Sequence, residues 1–269
     1  MLSCIRIGSV SLLFAALLVL PSRAQNSERL EVGPPSLHRA DPPAPGATPE
    51  QLEKRGDELR VDKNYLDSID FYQAALKGAP DSAELFNKIG ICQLQMQRYK
   101  EAKKSFERAL HADRKDAVAY NNLGVVYYEM RNYGAAIRHY EKAISLQNDS
   151  ASYYNNLGAA YFGKKQFDQA ILNYSKAMAL DPDIFERTAR GGVLAQLPSP
   201  EERAHYDYVL AKLYARTGSP DRSLHYLRKA MEEGYKDIKN VYKDAEFSTL
   251  RKDPRFAELM ASKPPAISD

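Results

Sequence analysis

Two asparagine pairs, Asn121-Asn122 and Asn155-Asn156, stand 34 residues apart and carry the most specific recognition chemistry in the chain. A side-chain amide offers two donors and an acceptor, so a row of amides can hydrogen-bond the backbone of an extended peptide without selecting its side chains. Around them lie Val125, Tyr128, Ala159 and Phe162. The other reading of the pairs, that they serve helix packing and bonds between neighbouring units, is equally open. The five histidines, His38, His111, His139, His205 and His225, are dispersed, and neither His-x-x-Glu-His nor Cys-x-x-Cys spacing occurs. Phosphate-binding glycine loops and Gly-x-Ser-x-Gly turns are absent as well. No catalytic role, metal or cofactor is expected.

The amides ride on a repeat. Gly56, Gly90, Gly124 and Gly158 recur every 34 residues. Leu52, Phe86, Tyr120 and Tyr154 precede them by four, and Ser68, Ala102, Ala136 and Ala170 follow by twelve. Tyr72, Phe106, Tyr140 and Tyr174 follow by sixteen, then Ala75, Ala109, Ala143 and Ala177 by nineteen. A glycine in mid-helix costs about 1 kcal/mol against alanine, so four at one phase imply close packing of paired helices. First helices are expected near 50–62, 83–97, 117–131 and 151–164, and second helices near 65–78, 99–112, 133–146 and 167–180. On the first helix of the third unit, Tyr120, Leu123, Tyr127 and Met130 share the expected core face. Asn121, Asn122, Val125, Tyr128 and Glu129 share the adjoining one.

Period and pattern resemble the tetratricopeptide repeat (TPR), a helix–turn–helix unit. The resemblance implies an all-α, right-handed superhelical solenoid of about five TPR units, with the first helices lining a concave groove. By that resemblance Asn87, Lys88, Asn121, Asn122, Val125, Tyr128, Asn155, Asn156, Phe162, Tyr208 and Lys212 face the groove and bind a protein or peptide segment. It also brings to mind the asparagine ladder of O-linked N-acetylglucosamine transferase, although Lys54, Lys88 and Val209 interrupt the row here. A second branch of the family clamps chaperone carboxylates with lysine three before the glycine and asparagine one after. Here those places hold Glu53 and Asp57, Asn87 and Ile91, and Asn121 and Val125, so that function is excluded. Two rival functions remain. One is a structural spacer or assembly factor acting through its edges. The other is a glycan-binding module using Tyr128 and Phe162.

The flanks divide the 269-residue chain further. Residues 1–24 have the form of a cleaved signal peptide: Arg6, an apolar run from Val10 to Leu20 that is short for the ~20 residues a membrane span needs, and Ser22-Arg23-Ala24. Export to the periplasm or cell exterior follows as an expectation. Cleavage takes the formal charge from +3 to +1, which leaves no electrostatic case for nucleic acid or an anionic membrane. Cys92 is then alone. Residues 25–49 read as a proline-rich disordered linker, ended by a capping signal at Thr48-Pro49-Glu50-Gln51. Four units fill 50–184. An insertion occupies 185–203, with Arg187, Arg190, Gly191 and Gly192 in its loop, and a fifth unit spans 204–237, with Ala211 in the place of the glycine. Capping helices and a tail complete 238–269. Oligomeric state is not legible.

Overall fold

The computed structural model describes residues 40–185 and 199–262. The expected signal peptide, the linker up to residue 39, the insertion loop with its arginines and glycines, and the last seven residues lie outside the described residues. From Ala40 onward the chain forms one compact unit. Its helices come in hairpins: α1 (Pro49–Val61) with α2 (Tyr65–Ala75), α3 (Ala83–Gln95) with α4 (Tyr99–Ala112), α5 (Ala117–Glu129) with α6 (Tyr133–Leu146), and α7 (Ala151–Gly163) with α8 (Phe167–Leu180). A fifth pair, α9 (Pro200–Arg216) and α10 (Pro220–Glu232), is followed by three short 3₁₀ turns and α11 (Pro254–Ser262). No strand occurs among the described residues. The fold is an all-α TPR-like solenoid of consecutive packed helix pairs.

Local chemistry sets the helix ends. Thr48 Oγ1 accepts from Gln51 N while Gln51 Oε1 accepts from Thr48 N, a reciprocal capping box with Pro49 at the first helical position. Ser82 and Asp116 cap α3 and α5 in the same way from one side. Lys63, Gln97, Arg131 and Lys165 turn each of the first four hairpins with φ near +60°. In the fifth hairpin the equivalent residue is Gly218, φ +73°, the residue type that adopts this region without steric cost.

Each repeated glycine sits against the aromatic ring sixteen residues on. A Cβ added at Gly56, Gly90, Gly124 or Gly158 would lie 2.5–2.6 Å from Tyr72, Phe106, Tyr140 or Tyr174. The fifth hairpin reaches the same closeness by the opposite choice. Ala211 carries the extra carbon and Leu227 gives up the ring, both fully buried. Ser68 Oγ donates to the Gly56 carbonyl at 2.8 Å and Ser223 Oγ to the Ala211 carbonyl at 2.7 Å, tying the helices at matching points.

The fifth hairpin nevertheless docks differently. At the regular junctions the start of a first helix packs on the end of the preceding second helix, as Ala119 does with Ala109 and Tyr153 with Ala143. The start of α9 lies instead at the start of α8, where His205 meets Phe167 at 4.2 Å between ring centroids and Phe162 at 5.1 Å. Close helix packing gives way there to aromatic contacts, Tyr206 on Tyr174 (5.3 Å) and Phe185 on Tyr214 (6.4 Å).

Candidate functional site

The first helices are joined side by side through the residues two and three before each glycine. Lys88 Nζ donates to Glu53 Oε1 at 2.5 Å and Asp57 Oδ2 at 2.8 Å, and also pairs with Glu84 at 3.1 Å. Burial opposes the charge on Lys88, but the bonds to Asp57 and Glu53 prevail and raise its pKa. Asp57 is held low by the same lysine and by Tyr72, against the pull of burial. Asn122 Nδ2 donates to Asn87 Oδ1 at 3.1 Å, and Asn156 Nδ2 to Asn121 Oδ1 at 3.0 Å. Asn121 Nδ2 donates to Asn122 Oδ1 at 3.3 Å, so the amides form one chain of bonds through three hairpins. The chain stops at the fourth. Val209 offers no donor, α9 is turned, and Asn155 Oδ1 is buried with no hydrogen-bond partner among the described residues.

This geometry corrects several expectations. Asn121 and Asn122 are 0% exposed, Asn156 1% and Asn155 8%, so these amides do not line an open surface. Val125, Tyr128, Phe162 and Tyr208 are likewise buried, whereas Met130, expected in the core, is 45% exposed. An internal first helix is covered by its own second helix, by the preceding second helix and, through the bonded amides, by the first helices on either side, so the face assigned to a groove is an interface between units. Asn87, Lys88 and Lys212 remain half-buried. Lys212 pairs with Asp244 (3.1 Å) and Glu246 (3.3 Å) of the C-terminal segment. Tyr208 donates its hydroxyl to Asp244 Oδ2 at 2.8 Å and stacks on Tyr235 at 4.4 Å. The glycan platform also fails. Tyr128 packs on Tyr133 and Phe162 on Phe167, leaving neither ring open.

A feature not read from the sequence is the fate of the repeated tyrosine hydroxyls. In the first hairpin Tyr72 Oη donates to Asp57 Oδ1 at 2.7 Å and accepts from Arg60 Nε at 3.3 Å. Burial and the bond to Asp57 push its pKa up to about 12. The residues one and four after the glycine supply both partners. In the third and fourth hairpins those places hold Val125 and Tyr128, then Ala159 and Phe162. Tyr140 Oη and Tyr174 Oη are accordingly buried without a partner, each a desolvated group that costs about 1–3 kcal/mol. The second hairpin has Ile91 and Leu94 there and, in step, Phe106 with no hydroxyl. Comparing those two positions along the repeat was the signal that would have found these groups.

Cys92 is fully buried against Ser68, and burial pushes its thiol up. Among the described residues no group of three His, Cys, Asp or Glu is placed to hold a metal, and no helix is long and apolar enough to cross a membrane.

Comparison with known proteins follows the same architecture. Tetratricopeptide repeat profiles match residues 62–124 and 115–183. The structure of pilF from Pseudomonas aeruginosa superposes with a TM-score of 0.54 at 18% identity, over 80% of this chain and 88% of that one. MamA from residue 41 onward, from Desulfovibrio magneticus RS-1, gives 0.50 at 16% identity over 73% and 97%. These likenesses concern the fold alone. Sperm-associated antigen 1 of Mus musculus is 34% identical over 62 residues, which is 23% of this chain and only 7% of that protein's length. On their own periodicity and on these matches, residues 62–183 of the chain carry tetratricopeptide repeats.

Proposed function

We propose that this chain is an exported, non-enzymatic scaffold that holds a segment of a partner protein against its first helices. Tetratricopeptide repeat proteins are generally non-enzymatic and mediate protein–protein interactions. The observation that carries the finer reading is the bonded ladder from Glu53 to Asn156. It fixes α1, α3, α5 and α7 at set spacings and so preorganises an extended floor for a docked segment. In this reading the buried amides hold the floor, and contact falls to accessible residues such as Lys54, Asn87 and Gln95. Export rests on the pattern of residues 1–24.

A second reading is favoured by Leu172 and Leu180, exposed at 50% and 45% on α8. They are apolar positions on a second helix, away from the ladder, and suit an assembly factor that acts through its outer surface. Affinity capture from the native host separates the two. Lys54→Glu with Gln95→Arg should abolish capture of the bound protein without changing the melting temperature. If Leu172→Ser with Leu180→Ser abolishes it and the first-helix variant does not, the outer-surface reading takes over. Amino-terminal sequencing of the native protein tests export, with a start near Gln25 expected and a retained Met1 against it.

A further inference from the structure

The chain holds 38 basic and 35 acidic residues, and its whole excess sits in one stretch: residues 98–115 have seven of the former and three of the latter. That stretch is essentially α4. Lys100, Lys104 and Arg108 follow one another at intervals of four along it, and all three are exposed, so they form a stripe on one face of the helix. None of the three has an ion pair among the described residues. Their neighbours do: Arg98 pairs with Glu101 at 2.6 Å and Lys103 with Glu107 at 3.6 Å. The repeat supplies its own control. One unit away, the places of Lys100 and Lys104 hold Leu66 and Asp70 on α2 and Gly134 and Arg138 on α6, and two units away Asp168 and Leu172 on α8. Packing of a hairpin therefore does not need cations there.

Arg108 is also held in place. Its guanidinium lies 3.9 Å from the centre of the Phe86 ring, itself 4% exposed, and so has given up side-chain freedom before any ligand arrives. Beside it lies a cleft of about 510 Å³ between α4 and the connection into α3, lined by Lys104, Arg108, His111 and Phe86 together with Asp81 and Glu107. We propose that this face of α4 binds an acidic, extended segment of a partner protein. Residues four apart on a helix are about 6 Å apart along its axis, and residues two apart in an extended chain are separated by about 6.6 Å. Three carboxylates at alternating positions thus meet Lys100, Lys104 and Arg108 in register. Nucleic acid and anionic membrane fit less well, because both present unbroken negative charge that Asp81 and Glu107 oppose. Phe86 is already covered by Arg108 and gives a base no face to stack on. No exposed large apolar side chain lies on α4 for insertion into lipid.

The inference rests on the reading that the chain holds a partner protein, but it concerns a second helix and is tested without that partner. Binding of a dye-labelled peptide of alternating glutamate and serine to the full chain is followed by fluorescence anisotropy. Unlabelled competitors are the glutamine–serine counterpart, an oligothymidine of equal charge, and phosphatidylserine vesicles. Saturable binding of the glutamate peptide is expected, weakening as salt rises. The glutamine peptide should not displace it, and the two other polyanions should compete at least threefold more weakly per charge than unlabelled glutamate peptide. Lys104→Glu with Arg108→Glu should weaken binding about tenfold or more, since charged hydrogen bonds are lost. Lys236→Glu with Lys239→Glu, at exposed residues after α10, changes the net charge equally and should leave binding unaltered. Absence of saturation, displacement by the glutamine peptide, equal or stronger competition by the oligothymidine or the vesicles, or equal loss in the two charge reversals overturns the site. Should Arg108→Glu unfold the hairpin by uncovering Phe86, Lys100→Glu with Lys104→Glu makes the same change of charge without touching that ring and decides in its place. Failure here leaves the first-helix reading standing, because the capture experiment uses variants at Lys54 and Gln95.

Discussion

Asn122 contributes by joining hairpins, so its removal should be felt in stability. Asn122→Ala takes away the bond to the half-buried Asn87 Oδ1 and the acceptor used by Asn121, which is 0% exposed. A cost of about 1–3 kcal/mol follows, well above the ±0.5 kcal/mol typical of a surface residue. Gly124→Leu should cost at least as much, about 1–3 kcal/mol or more from overpacking, because even its Cβ would meet Tyr140 at 2.5 Å. Urea unfolding of the two variants checks both. The glycine was legible because its spacing and type allow one explanation. The amide was not, because its partner lies 35 residues earlier and a groove and an interface select the same polar residue.

Asp207 makes a separate case. It occupies the place four before Ala211 where other hairpins have Leu52, Phe86, Tyr120 and Tyr154, and it is 3% exposed. Burial, against the attraction of Lys229, raises its pKa from 3.8 to about 6. The folded protein thus holds this proton more tightly than the unfolded chain. The site's contribution to stability is most favourable below pH 4 and is lost as pH rises through 6. Asp207→Asn should raise the melting temperature at pH 7.5, by an amount corresponding to on the order of 2 kcal/mol. It should also remove the rise in stability that the parent chain gains from this site between pH 7 and 4. Parallel melts across that window settle it, and identical profiles would show Asp207 to be well solvated.

Within each hairpin, glycine plus ring or alanine plus leucine fills the same gap. Leu227→Phe should therefore drive a ring against the Ala211 Cβ and destabilise the fifth hairpin, while Ala211→Gly in the same chain should restore most of the loss. Ala211→Gly alone should cost about 1 kcal/mol. A double-mutant cycle should return a coupling of roughly 0.5–3 kcal/mol, and simple additivity would refute the exchange. Helices of this kind were readable from small and large residues at fixed offsets, and their ends from Thr48, Ser199 and the prolines after them. Docking of α9 was not readable. The sequence marks an insertion before it, but direction of approach depends on side chains such as Phe162, Phe167 and Tyr206, whose pattern also fits an ordinary core.

In the whole molecule the regular stack is continuous through α8 and changes character at α9. Solenoid stability is a sum over hairpins and the interfaces between them, so the sparsely packed junction should be where cooperativity breaks. Native-state hydrogen exchange in rising urea should show the amides of α9 to α11 opening together at a lower free energy than those of α3 to α8. One common opening energy from α1 to α11 would contradict this.

The ladder has a further consequence for how such an array can be rearranged. Each junction is a matched pair, lysine with Glu53 and Asp57 at the first, amide with amide at the next two. The hairpins are therefore not interchangeable tiles. Exchanging the second hairpin with the third would set Asn122 against Glu53 and Asp57 in place of a lysine and Lys88 against Asn121 with no carboxylate, while Asn156 would still meet an amide in Asn87. Chains permuted in this way should lose stability at the first and middle junctions, while exchanging the third with the fourth should be nearly silent up to the Val209 boundary. The order of the units is thus written in a handful of side chains lodged between them.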